Sequence, residues 1–244
     1  MIRKLIAGTT VALLLGASAA SAITLQFDSS ATSSNTPATG ASGTATLAFS
    51  DVGTNQVQID VSVENTTGSS TFGAGATVSK LTGFAFSLLS GTSLASISTT
   101  GAFLDYAFAS GVSLPPFGSF DVAWGDNSNF QAGGPGGALP EGQTDTGLKA
   151  IINVGSLYTA ATLESAYLAS FNDTSDDIGA VMRFQSVNAG SGSDKLLYGG
   201  ISNPGPGPGP GPNPNPAPVP LPAAGWMLLA AIGGMAFWRR RATA

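Results

Sequence analysis

From Gln56 to Glu64 apolar and polar residues alternate without a break. Val57, Ile59, Val61 and Val63 take one parity, and Gln58, Asp60, Ser62 and Glu64 take the other. Successive side chains of an extended strand point to opposite faces, whereas a helix would scatter this pattern around its circumference. The segment therefore predicts a strand with one buried and one solvated face, the usual condition of an antiparallel sheet. Thr44–Ser50 repeats the pattern, with Ala45, Leu47 and Phe49 on one side. Between the two lies Asp51-Val52-Gly53-Thr54-Asn55, which carries turn residues, so the pair reads as an antiparallel hairpin.

Further strands are predicted at Ile23–Phe27, Leu81–Leu88, Ser119–Trp124, Leu148–Val154 and Ala180–Val187. In these, Ile23, Leu25 and Phe27 share a face, as do Phe84, Phe86 and Leu88, and Phe120, Val122 and Trp124. Thr159–Ser170 predicts one short helix, with Leu163 and Tyr167 four residues apart. Asp126–Gly142 shows no apolar period and reads as a mobile loop. Many short strands separated by Gly, Ser and Asn predict a mainly all-β fold. The expected architecture is a β-sandwich of jelly-roll type with one short helix, plus a separate C-terminal transmembrane helix.

Composition removes several kinds of chemistry. The chain has no Cys and no His. Ser-His-Asp and Cys-His nucleophiles cannot be assembled, zinc sites lose their usual ligands, and disulfides are excluded. Charged residues make up 9%, against roughly 25% in ordinary soluble domains. All 14 acidic residues lie between Asp28 and Asp194, and residues 23–200 carry only 4 basic ones, a formal charge of −10. Such a surface repels phosphate backbones, so no nucleic-acid partner is expected.

The termini set the expected destination. Arg3 and Lys4 precede an apolar run from Leu5 to Leu15, which leads into Ala20-Ser21-Ala22. This is the layout of a secretory signal cleaved by signal peptidase, with Ala20 and Ala22 as the small cleavage-site residues and Ile23 as the first mature residue. A retained anchor is the competing reading, but the apolar run is short for a span. From Asn203 to Pro218 every even position is Pro. Proline fixes φ and removes amide donors, which marks residues 203–218 as a spacer outside regular helix or sheet. Leu221–Trp238 is uncharged and mostly apolar, and as a helix would be roughly 27 Å long, near the ~30 Å hydrocarbon core. Arg239, Arg240 and Arg241 follow it and should stay cytoplasmic.

Val219-Pro220-Leu221-Pro222-Ala223, the apolar span and the arginine cluster occur in order behind an N-terminal signal. Together they resemble the PEP-CTERM class of bacterial sorting tails, in its VPLPA-CTERM variant. The resemblance covers residues 219–244. It implies recognition and cleavage near Val219–Ala223 by an exosortase-type enzyme after a stage anchored in the inner membrane. It further implies a Gram-negative source and a final place at the cell surface or in the extracellular matrix. An ordinary single-pass anchor with a Pro-rich stalk is the alternative. The expected organisation is signal peptide 1–22, extracellular domain 23–202, linker 203–218 and sorting signal 219–244.

Within the domain, Asp173, Ser175 and Asp177 have the alternate spacing with which a loop can wrap a hard cation such as Ca²⁺. The Gly and downstream Glu of an EF-hand loop are missing, and a solvated turn after the helix is the competing reading. Asp105, Asp121, Glu141 and Glu164 are scattered candidates for a carboxylate glycosidase. Tyr106, Phe117, Trp124 and Phe130 are candidates for stacking on sugar rings, although the alternation of Phe120, Val122 and Trp124 favours a core place for Trp124 and Phe120. The leading expectation is a non-enzymatic structural or interaction protein without a cofactor. A polysaccharide-binding module, Ca²⁺-assisted or not, and a carboxylate glycoside hydrolase are the alternatives.

Overall fold

The computed structural model describes residues 21–131, 134, 136–173 and 178–199. Twelve strands and one helix follow in chain order: β1 (Ser21–Phe27), β2 (Thr32–Ser33), β3 (Gly43–Asp51), β4 (Gln56–Asn65), β5 (Lys80–Phe86), β6 (Ser93–Thr99), β7 (Tyr106–Ser113), β8 (Ser119–Gly125), β9 (Leu139–Pro140), β10 (Thr144–Asn153), α1 (Ala160–Asn172), β11 (Gly179–Gln185) and β12 (Ser193–Gly199). They form two antiparallel sheets. One has the order β1-β3-β4-β10-β6, and the other β2-β12-β11-β5-β8-β7 with β9 added beside β5. The protein is mainly β with one helix, as the alternation predicts.

The first sheet follows the period-two rule closely. Val57, Ile59, Val61 and Val63 on β4 are buried, and so are Leu47 and Phe49 on β3 and Leu148, Ala150 and Ile152 on β10. Register pairs Leu47 with Val61 and Phe49 with Ile59, so buried residues face buried residues across the hairpin. The opposite face is polar. Thr24 lies beside Thr46, and Lys149 approaches Asp60 at 4.0 Å. Both members of that pair are about half exposed, so its contribution is small, about 0–1 kcal/mol.

The second sheet turns Phe84, Phe86, Val122, Trp124, Met182 and Phe184 toward the same core. Phe27 of the first sheet meets Phe84 of the second edge-on, with centroids 6.2 Å apart. The helix joins this core through Leu163, Tyr167 and Phe171, whose spacing puts them on one face. Tyr167 packs against Phe49 and Phe86, one from each sheet. Thr159 caps the helix and exchanges hydrogen bonds with Thr162, while Asp51 accepts the Ala160 N–H.

Two expectations are revised. Phe120 does not join Val122 and Trp124 in the main core. It belongs to a smaller cluster with Val112, Leu114, Phe117 and Phe130. The register shift between Ala109 and Val112 places one extra residue in β7 opposite this end of β8, where Phe120 pairs with Val112. Nor is Asp126–Gly142 a loop without anchors. Phe130, Ala138 and Leu139 are buried, and Leu139–Pro140 pairs with Lys80–Leu81.

Candidate functional site

Ala22, one of the two residues expected at the cleavage site, lies in β1 opposite Ala48. Ala20, Val219, Pro220, Leu221, Pro222, Ala223, Arg239, Arg240 and Arg241 lie outside the described residues, as do Ser175 and Asp177. No helix among the described residues is long and apolar enough to cross a membrane. The predicted span lies beyond them. Asp173 is the C-cap of α1, and its backbone N–H donates to the Ser170 carbonyl. Among the described residues, no three His, Cys, Asp or Glu side chains are grouped to hold a metal ion.

The four aromatic candidates separate by burial. Phe117, Trp124 and Phe130 are buried, so a stacking platform that includes them is overturned. Trp124 stacks on Phe84 at 6.5 Å, and its indole N–H donates to the Ser98 carbonyl at 2.9 Å. Tyr106 is 41% exposed. Trp124 takes the core place that its alternation indicates, whereas Phe117 and Phe130 belong to no alternating run and gave no such signal.

The four carboxylate candidates sit on separate elements. Asp105 precedes β7, Asp121 is on β8, Glu141 follows β9, and Glu164 is on α1. Asp121 accepts the Leu88 N–H at 2.8 Å. Glu141 keeps one carboxylate oxygen buried without a hydrogen-bond partner.

Three other charged residues, which sequence spacing did not single out, are the most thoroughly engaged. Asp145 is 3% exposed. Its carboxylate accepts the N–H groups of Ala102 at 2.9 Å, Phe103 at 3.0 Å, Leu104 at 2.7 Å and its neighbour Thr146 at 3.0 Å. Gly101 is needed beside it, because a Cβ there would lie 2.7 Å from the carboxylate. Asp194 accepts the Ser33 hydroxyl at 2.7 Å, the Ser34 hydroxyl at 3.2 Å, and the Thr39 N–H and hydroxyl at 3.1 and 2.8 Å. Each carboxylate thus fastens a distant loop to the end of a strand.

Arg183 on β11 is 8% exposed. It donates to the Thr82 hydroxyl and to the Gln131 carbonyl, both at 2.9 Å. Burial pushes its pKa down, opposed by the neighbouring Asp126 charge. Burial raises the Asp126 pKa, against the pull of its backbone hydrogen bond and Arg183, and Asp105 adds a smaller upward push. One Asp126 oxygen is buried without a hydrogen-bond partner. A buried cation under a loop, with a carboxylate disfavoured in its charged form, holds the loop down.

An open groove of about 600 Å³ lies where β6, β7 and the β5–β6 connection meet, with Asp121 in its lining. Neither the aromatic candidates nor Asp173 line it. Compared with known proteins, the chain matches no family model, no curated protein and no solved structure.

Proposed function

We propose that this chain is an exported surface or matrix protein, processed at its C-terminal sorting signal by an exosortase-type enzyme, and that its β domain has a structural, non-catalytic role. The localisation rests on the order of signal peptide, proline-alternating spacer, Val219–Ala223 motif, apolar span and terminal arginines. The structural role is supported above all by how the buried carboxylates are used. Asp145 and Asp194 spend their oxygens on backbone and hydroxyl donors of neighbouring loops, an arrangement that fastens a fold.

The finer reading of the fold is a sandwich of jelly-roll type. Its support is the chain path, which passes repeatedly from one sheet to the other: β4 to β5, β5 to β6, β6 to β7 and β10 to β11. In this reading signal cleavage before Ile23 leaves Ile23, Leu25 and Phe27 in place as the core-facing residues of β1.

Intact mass of the protein from its native host, with both termini mapped, tests the reading. A chain beginning at Ile23 and ending near Val219–Ala223 is expected. A mature surface protein that still ends at Ala244 would replace the sorting tail with a plain anchor.

A further inference from the structure

The first sheet ends at β6 and the second at β7, and the groove lies between these two edges. Its lining contains Leu94, Ser96 and Ile97 of β6, Ser110 of β7, Asp121 of β8 and Leu89 of the β5–β6 connection.

Three features of the lining bear on what it can hold. The Ser98 carbonyl accepts from Trp124 of the other sheet, so it points away from β10. Residues two apart in an antiparallel ladder direct their N–H and C=O to the same side. Ser96, paired with Ile151 just as Ser98 is paired with Lys149, therefore turns its backbone donor and acceptor away from β10 as well, on the groove side. Asp121 is oriented by the Leu88 N–H on one oxygen. Ser110 is a non-glycine residue held at φ 64°, in the left-handed region, at the β7 bulge. Such strain persists only where the surroundings enforce it, and it collects at binding sites.

The lining carries hydroxyls, one carboxylate and aliphatic side chains, and no Lys or Arg. An anionic ligand would find no counter-charge. One carboxylate is too few for a hard cation. A peptide strand could pair at Ser96 but could not continue, because the register of β6 shifts between its pairs with Ile151 and Ile152, and β7 is bulged at Ser110.

We propose that this groove binds a neutral saccharide chain. Sugar hydroxyls donate to Asp121 and exchange hydrogen bonds with Ser96 and Ser110, while the C–H faces of the rings lie against Leu94 and Ile97. This goes beyond a display role and does not depend on it. Absence of binding leaves the proposed processing untouched, because that rests on the termini.

The test uses the full-length chain in a detergent without a sugar headgroup, titrated calorimetrically with neutral oligosaccharides of glucose, galactose and mannose. An oligogalacturonate serves as the charged control, and an uncharged β-strand peptide as the peptide control. At least one neutral oligosaccharide is expected to bind with Kd below about 1 mM, with no binding of either control. Asp121→Asn retains an acceptor for Leu88, and Ala109→Trp fills the groove from an exposed position. Each should weaken binding at least tenfold with the melting temperature held. Ser96→Arg replaces Ala109→Trp if that variant melts early. The proposal is overturned by a failure of every neutral oligosaccharide at millimolar concentration, by tighter binding of either control, or by wild-type affinity in either variant.

Discussion

The Phe130 ring occupies the space that a side chain at Gly83 would need. A Cβ built on Gly83 would lie 2.5 Å from the ring's Cζ, and one on Gly125, its register partner, 3.2 Å from Cδ2. Two adjacent glycines thus form a seat for one aromatic ring, which meets Phe108 edge-on at 5.5 Å. Gly83→Ala should unseat Phe130 and cost about 1–3 kcal/mol. Phe130→Ala should cost about 3–5 kcal/mol. Because both changes remove the same contact, the double variant should fall well short of their sum. Denaturant unfolding of the three variants checks this, and strict additivity would mean that the ring is not what Gly83 accommodates.

Asp145 gathers four backbone donors, three of them from Ala102–Leu104. Asp145→Ala strands those N–H groups beside β10 and should cost about 3 kcal/mol or more. Asp145→Asn retains one acceptor oxygen and should cost less. Amide exchange should show Phe103 and Leu104 losing protection in both variants. Unchanged protection there would contradict the clamp.

The Asp126 carboxyl has a folded pKa raised above its ordinary value of 3.8, chiefly by burial. The folded state therefore holds this proton more tightly than the unfolded state does. The resulting stabilisation is full below 3.8 and is lost as pH rises through the folded pKa. Asp126→Asn removes that loss, so the variant should lose less stability than the parent between about pH 4 and pH 7. Urea midpoints across this window measure it. A steeper loss in the variant would show that attraction to Arg183 outweighs burial.

The Tyr167 hydroxyl is buried without a hydrogen-bond partner, and burial holds its pKa above the ordinary tyrosine value. Tyr167→Phe keeps the ring between Phe49 and Phe86 and deletes only that oxygen. Removing an unpaired buried polar atom should leave stability unchanged or raise it by up to about 1 kcal/mol. A drop in melting temperature would reveal a bond that the hydroxyl makes in solution.

The parts of the fold legible in the sequence are those whose burial is one-sided and unbroken. β3 and β4 alternate along their whole length, and Thr159 with Leu163 and Tyr167 marks the helix and its start. β6 and β7 escaped for a shared reason. Both are edge strands, mostly exposed, and a register shift interrupts the alternation in each. The groove between them was therefore invisible. Asp145 and Asp194 escaped for another reason. Their partners lie 41 to 43 and 155 to 161 residues away, and no spacing rule links them. Phe130 stands alone without a period, so only the folded chain shows that it anchors its loop.

β12 leaves the described structure at Gly199, where it pairs with Gly179, and its other end holds Asp194. Any pull transmitted through the residues that follow enters at the Gly199 end. It must separate the pairs from Tyr198 to Lys195 one after another before it reaches the carboxylate that grips Ser33, Ser34 and Thr39. The domain would yield to such a load from the Gly199 end of β12, with Asp194 as the last catch.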